Sequence, residues 1–291
     1  MAENGLTLAS GMRAEIRADR WVPGAVELVV DGTPQSHVNL DDPTDLFFEY
    51  IQRMGHVIDQ LPDGPITAVH LGAGALTIPR YVAATRPGSR QQVIELEPDL
   101  VALVRAEAPW PRDAGIRVRY GDARATLGRL PAALRGAVDL LVVDVFGGAR
   151  IPGHVTTIEF YRECAEFLAP GGVLLVNVAD GGDLRFARGQ ASTVAMALRD
   201  AAALAEPGVL KGRRFGNVVL AASPGELPLD WLPRLLAGGP HPASVLHGRE
   251  LRDWTAGAAV VTDATAVPSP PPGRGVFQVS RGTGPGAGGA T

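Results

Sequence analysis

His70-Leu71-Gly72-Ala73-Gly74-Ala75-Leu76-Thr77-Ile78-Pro79-Arg80, HLGAGALTIPR, is the stretch that decides how the chain folds. An apolar run (Ile66, Ala68, Val69, Leu71) ends in Gly72-Ala73-Gly74 and opens into a helical pattern. That is a strand, a tight glycine turn and a helix start. In an open α/β sheet such a turn holds a nucleotide-containing ligand, because glycine lets the backbone approach it and the helix N-terminus presents free N–H groups. Many strand-to-helix turns carry glycine for steric reasons alone, so the weight of this one comes from the strands that follow.

From residue 66 onward the chain alternates. Apolar strands are predicted at 66–71, 91–96, 116–120, 138–143 and 172–178, with helices near 75–86, 98–108, 123–134 and 155–168. Segments such as VDLLVV and GVLLVNV are continuously apolar, as parallel strands covered on both faces must be. The expectation is a doubly wound, Rossmann-like α/β core. Upstream, alternation at 13–19 and 26–30 is broken by Pro23-Gly24 and Asp31-Gly32, which predicts a small N-terminal β-hairpin region over 1–40. A helix is predicted over 45–58 (DLFFEYIQRMGHVI). Downstream, a helix over about 184–204 precedes a predicted antiparallel pair, 208–211 with 217–222, and two late helices over 228–237 and 246–256. The core is therefore expected to run over 41–263. From 264 to 291 the chain is so rich in Pro and Gly that a disordered tail is expected.

Composition limits the function classes. The chain has 291 residues, 46% hydrophobic and 20% charged, enough for one or two domains with a large core. A net charge of −4 gives no general attraction to nucleic acid or to an anionic membrane. Cys164 is the only cysteine, which leaves no intrachain disulfide and argues against a cysteine zinc site; its setting, FYRECAEFL, predicts a buried, inert thiol. No apolar run approaches the roughly 18 residues of a membrane span. The start, MAENGLTLASGM, lacks a basic and an apolar signal region, so a cytoplasmic protein is expected.

Ligands of such sheets lie outside the carboxyl ends of the strands. Those ends read Gly72-Ala73-Gly74, then Glu95-Leu96-Glu97-Pro98, Gly121-Asp122-Ala123, and Asp144-Val145-Phe146-Gly147-Gly148. Glu95 is placed to accept from both ribose hydroxyls, bonds worth about 1.5–3 kcal/mol each to a charged acceptor. Glu97, before Pro98, suits a surface carboxylate at a helix start. Asp122 can accept from an adenine amino group while the backbone at Ala123 donates to the ring; the competing role for Asp122 is a helix N-cap. A nicotinamide dinucleotide fits less well, because the third glycine of G-x-G-x-x-G is absent, and no strand leads into a glycine-lysine phosphate loop. An S-adenosyl sulfonium nucleoside, which has no phosphates to cradle, fits better.

These residues resemble the spermidine synthase family, aminopropyltransferases on the class I S-adenosylmethionine-dependent methyltransferase fold. The resemblance runs from about residue 29 to 223 through VDGTPQS, LGAGALT, VIELEPDLVALVR, YGDAR, DLLVVDVF, EFYREC and GNVVLAAS. It implies a β-hairpin N-terminal region, a Rossmann-like core and usually a dimer or tetramer, of which a homodimer is expected. S-adenosylmethionine or its decarboxylated form is the implied co-substrate, a small-molecule amine the acceptor, and no metal is called for because the sulfonium is already an activated leaving group. By position, Gln35 lines the nucleoside pocket, Glu95 binds the ribose, Asp122 and Ala123 bind the adenine, and Asp144 sits by the attacking amine and accepts its proton. The departures are Ala75, where the family has the aspartate that binds the aminopropyl ammonium, and Gly147, where it has the aspartate that anchors the polyamine. The family's tyrosine-plus-polar pair falls on Phe47-Phe48, and Glu49 is the other carboxylate nearby. His154 is either a base near Asp144 or a loop and capping group with Thr156-Thr157; His37 and His56 are structural. The resemblance thus implies an alkyl transferase, aminopropyl or methyl, whose adenosine half is kept and whose polyamine half is altered. A non-catalytic nucleotide-binding or oligomer-forming module on the same fold is the alternative.

Overall fold

Alternation between turn signals dictates a half-buried antiparallel sheet for the N-terminal segment. The computed structural model, which describes residues 5–230, 232–238 and 242–271, has four strands there: β1 (Gly5–Thr7), β2 (Arg13–Ala18), β3 (Ala25–Val30) and β4 (Thr33–Asn39), paired in chain order. Asp31 and Gly32 both take positive φ, 49° and 76°, in the two-residue turn between β3 and β4. Such a turn matches the twist of the strands it joins. The sheet packs Leu28, Val30 and Val38 against Leu100, Val104 and Trp110 of the core.

Helix α1 (Glu49–Ile58) leads into the second sheet. The chain then alternates through β5 (Thr67–Leu71), α2 (Thr77–Thr85), β6 (Arg90–Glu95), α3 (Pro98–Glu107), β7 (Ile116–Tyr120), α4 (Ala123–Leu127), β8 (Val138–Val143), α5 (Ile158–Ala165), β9 (Leu168–Asp180) and α6 (Arg185–Ala197). It closes with β10 (Asp200–Ala205), α7 (Pro207–Leu210), β11 (Gly216–Ser223), α8 (Leu232–Ala237), β12 (Ser244–His247) and α9 (Gly248–Trp254). The eight strands are ordered β12-β10-β11-β9-β8-β5-β6-β7, with β5 to β9 parallel and the rest antiparallel. Because side chains alternate along a strand, Val69, Leu71, Leu141 and Val143 pack with α5 and α6 on one face. Ala68, Leu140 and Val142 pack with α1 and α2 on the other. The chain steps from β5 to β6 and β7 on one side and then returns to β8 on the other. The crevice at that reversal is where such sheets take ligands.

The expected Rossmann-like α/β core is present, with three local corrections. Residues 200–204, expected as the end of a helix, lie in β10, and 217–222 pairs with it rather than with 208–211, most of which lies in α7. Alanine favours helix, but propensity is a weak prior, and here pairing with β11 and β12 prevails; Ala202, Ala203 and Ala205 are buried. The helix expected over 123–134 ends after Leu127, with Gly128 and Pro131 separating it from a single 3-10 turn at Ala132–Leu134. Residues 244–247, partly assigned to a late helix, form β12.

The tail also differs from expectation over 264–271. Ser269 is 2% exposed; its N–H donates to the Ile151 carbonyl (2.9 Å) and its Oγ accepts from the Ile151 N–H (2.8 Å). Asp263, just before it, binds Arg124 and Thr157, each at 2.7 Å. A Pro-rich segment that builds no core of its own is held here by hydrogen bonds to an existing one. The rest of the expected tail, 272–291, lies outside the described residues. Among the described residues no helix is long and apolar enough to cross a membrane. Cys164 is fully buried in the core, and burial pushes its thiol well above the usual range.

Candidate active site

The crevice forms because β5 and β8 end side by side. The Gly72 N–H donates to the Ile94 carbonyl and the Asp144 N–H to the Leu71 carbonyl, both at 2.9 Å. Gly72 has φ 89°, and an added Cβ would lie 2.2 Å from the Asp144 carbonyl oxygen. Gly74 has φ 48°, and its Cβ would lie 2.4 Å from Ser36 Oγ, which accepts the Ala75 N–H at 3.1 Å. Both glycines are therefore demanded by the protein's own packing, one against β8 and one against the N-terminal sheet.

Glu95 ends β6 and braces the turn. Its Oε2 accepts the Ala73 N–H (2.9 Å) and its Oε1 the Glu97 N–H (3.0 Å). Burial raises its carboxyl above the ordinary value, and the N–H donors offset part of that rise. Asp122 caps α4 through the Ala125 N–H (2.9 Å) and holds His154 Nε2 at 2.7 Å. Burial would raise the Asp122 carboxyl, but the Ala125 N–H and His154 outweigh it and leave it below the ordinary value. Asp144, at the end of β8, accepts from Asn177 Nδ2 of β9 (2.8 Å) and Tyr50 Oη of α1 (3.3 Å). Asn217 of β11 in turn donates to Asn177 Oδ1 at 2.9 Å, which fixes the orientation of that amide. Burial raises the Asp144 carboxyl, and its two neutral donors counter this in part.

Gln35, Gly72, Ala73, Gly74, Glu95, Asp122, Ala123 and Asp144 all line one cavity of ≈ 500 Å³. Its size is in the range of small-molecule sites. The carboxylates on its wall are Glu49, Glu95, Glu97, Asp122 and Asp144; among the described lining residues the only Lys or Arg is Arg214. Among the described residues no group of three or more His, Cys, Asp or Glu is placed to hold a metal ion.

Most of the remaining side chains take a place their sequence reading allowed, and one departs from it. His154 lines the cavity but pairs with Asp122, so it stands at the end away from Asp144, and Thr157 caps α5 through the Phe160 N–H (3.1 Å). His37 stacks on Phe47 (4.4 Å) and bonds Asp19 (3.0 Å). Phe47 is thereby turned to the N-terminal sheet, and the phenol at the cavity is Tyr50. Glu97 is not a surface carboxylate: it is 7% exposed and accepts the Ala9 (3.1 Å) and Ser10 (3.0 Å) N–H groups, latching the β1–β2 turn to the core. Tyr50, Asn177 and Asn217 are the residues missed. Asn177 alone carried a signal, as the one polar residue inside GVLLVNV.

The latch is testable. In Glu97→Gln one oxygen becomes an NH2 facing a backbone N–H, so one bond is lost and a donor is left unpaired at a cost of about 1–3 kcal/mol. Urea unfolding should show that loss, and protease cleavage in 5–12 should accelerate; unchanged protection there would remove the latch.

No family model matches the chain. The polyamine aminopropyltransferase of Chromobacterium violaceum is 28% identical over 146 residues, covering 50% of this chain and 54% of that protein. That of Vibrio vulnificus is 30% identical over 141 residues, 47% of this chain and 46% of that protein. The aligned region thus spans about half the length of these curated relatives. Human methyltransferase-like protein 13, solved with S-adenosylhomocysteine, shares the fold at TM-score 0.51 and 16% identity, covering 61% of this chain and 82% of that one. Sheet order, glycine turn and strand-end acids accordingly define a class I methyltransferase-like domain. A probable spermidine synthase of Corynebacterium glutamicum superposes at TM-score 0.82 with 30% identity over 90% of this chain and 97% of that one. The chain belongs to the spermidine synthase family.

Proposed function

We propose that the chain is a transferase that binds S-adenosylmethionine or its decarboxylated form and delivers an alkyl group to an amine. The observation that carries this is the charge of the cavity: among the described lining residues, five carboxylates, Glu49, Glu95, Glu97, Asp122 and Asp144, against one guanidinium, Arg214. Such a wall repels a pyrophosphate and attracts a sulfonium and an ammonium. Glu95 would hold the ribose and Asp122 with Ala123 the adenine, with Gln35 and the turn Gly72-Ala73-Gly74 closing over the nucleoside.

A bound sulfonium supplies an alkyl carbon whose leaving group departs as a neutral thioether. The chain's part is alignment and proton removal. Tyr50 and Asn177 fix the two oxygens of Asp144, which orients the acceptor nitrogen. Asp144 takes a proton from the bound ammonium and so frees the nitrogen lone pair, which forms the new C–N bond as the C–S electrons pass to sulfur. The raised Asp144 carboxyl makes it a better proton acceptor than an ordinary aspartate.

Calorimetry with S-adenosylmethionine, decarboxylated S-adenosylmethionine and 5′-methylthioadenosine tests the proposal. Binding of at least one is expected, and a preference for the decarboxylated donor would assign aminopropyl over methyl transfer. If none binds, the transferase reading fails and the non-catalytic alternative takes its place.

A further inference from the structure

Resting on that reading, we propose that the nucleoside end of the cavity is held in place by the C-terminal segment 261–269, with Asp263 and Ser269 as positioning residues. The turn 151–157 supplies Pro152 and His154 to the cavity wall. It lies in no strand, and internally it is held by a single 3-10 turn at Gly153–Val155: the Val155 N–H donates to the Pro152 carbonyl (3.3 Å) and the Thr156 N–H to the Gly153 carbonyl (3.0 Å). So short a piece opens easily unless something else holds it. The segment grips it at both ends and in the middle. At one end the Ser269 N–H donates to the Ile151 carbonyl (2.9 Å), and Ser269 Oγ accepts the Ile151 N–H (2.8 Å). At the other, Asp263 Oδ1 accepts the Thr157 hydroxyl (2.7 Å), whose oxygen caps α5. Between them a Cβ on Gly153 would lie 3.1 Å from the Val267 carbonyl carbon, so turn and segment meet main chain to main chain. The segment is itself tied to the core: the Ile158 N–H donates to the Val261 carbonyl (2.9 Å), and the Val261 N–H to Thr193 Oγ1 of α6 (3.0 Å).

Arg124 carries the constraint to the residues proposed to face the base. It follows Asp122 and Ala123 on α4. Its Nη1 donates to Asp263 Oδ1 (2.7 Å) and to the His154 carbonyl (3.1 Å), and its Nη2 to Asp263 Oδ2 (3.0 Å). Nε and Nη2 also hold Glu163 of α5, at 2.9 and 2.6 Å. Paired bonds to a carboxylate fix the plane of a guanidinium as well as its position. His154 is thus pinned through its carbonyl by Arg124 and through its ring by Asp122 (2.7 Å). If the segment is released, His154 and Asp122 lose their common reference. Asp144 instead takes its donors from α1 and β9, Tyr50 and Asn177, so the segment governs nucleoside affinity and not the group that orients the acceptor. Coupling of this kind is reciprocal: a bound nucleoside must in turn hold the segment down.

The test is calorimetry of full-length protein with 5′-methylthioadenosine, read for affinity and for stoichiometry. The double variant Asp263→Ala/Ser269→Ala should bind at least about fivefold more weakly, at full stoichiometry. A protein that is merely destabilised would lose binding sites and keep its affinity, and that result overturns the inference. Asp200→Ala is the control: Asp200 holds His247 (2.6 Å) and the Leu227 N–H (2.9 Å) toward the opposite edge of the sheet, outside the cavity lining. It should leave affinity within about threefold; a loss equal to that of the double variant overturns the inference. A second measurement needs no variant. In the wild-type protein, saturating nucleoside should slow amide hydrogen exchange over 258–269 at least about threefold. If the wild-type protein binds no nucleoside, the transferase reading fails and this inference with it. If it binds, but the double variant matches its affinity or exchange over 258–269 is unchanged, the inference alone is overturned.

Discussion

Asp144→Asn is expected to lower alkyl transfer by roughly 100- to 10,000-fold, the range for removing a positioned general base. The substitution keeps the shape: Asn177 can still donate to the side-chain oxygen, and Tyr50 can rotate its hydroxyl to accept from the new NH2. Nucleoside affinity, which in the proposed site rests on Glu95 and Asp122, should stay within about threefold. A mere loss of folding makes a different prediction. Burial raises the Asp144 carboxyl, so the folded state holds this proton more tightly than the unfolded chain does. The contribution to stability is fully present below the unfolded value and is lost as pH rises through the folded one. At neutral pH the buried charge opposes folding, and Asp144→Asn should melt at the same temperature or higher. That difference should vanish in acid, where both states are protonated. The wild-type rate should fall on acidification above the ordinary aspartate range, because the base must be ionised, and the residual rate of the variant should lack that limb. Unchanged turnover would remove Asp144 from the mechanism.

The site's outline is legible in the sequence because its parts are strand ends, and strand ends are marked by where an apolar run stops. Gly72, Glu95, Asp122 and Asp144 each follow such a run, and all four line one cavity. The residues that tune Asp144 leave weaker marks. Tyr50 reaches it from a helix 94 positions away in the chain, and neither its distance nor its direction is a local property. Asn177 interrupts an apolar strand, which signals a polar role but not its partner. The edge of the sheet leaves a weak mark for a related reason. Residues 200–204 fall at the end of the expected helix over 184–204, and only pairing with β11 and β12 makes 200–205 a strand. Glu97 shows the limit most plainly: beside Pro98 it fits a helix start, and its actual partners, Ala9 and Ser10, lie 88 and 87 residues upstream.

The opening turn is where a single methyl group should do most damage. Gly72→Ala combines two costs. At φ 89° a side chain is strained by about 1–3 kcal/mol. The new Cβ would also meet the Asp144 carbonyl at 2.2 Å, and forcing backbone apart in a packed site adds about 1–3 kcal/mol. The clash is with main chain, so no rotamer change relieves it; β5 and β8 must separate where their ends define the crevice. A matched control isolates the second cost. Gly136 also has positive φ, 69°, but an added Cβ there meets nothing within 4 Å. Gly136→Ala should therefore cost only the backbone strain, about 1–2 kcal/mol, and leave transfer unchanged. Gly72→Ala should cost at least about 1 kcal/mol more in urea unfolding. It should also weaken nucleoside binding about tenfold or more, because Ala73 and Asp144 move with the separated strand ends. Equal losses for the two variants would mean that strand contact at Gly72 does not hold the site together. Loss of stability with nucleoside affinity intact would instead show that the turn can open without disturbing Glu95 and Asp122, and would confine the role of Gly72 to folding.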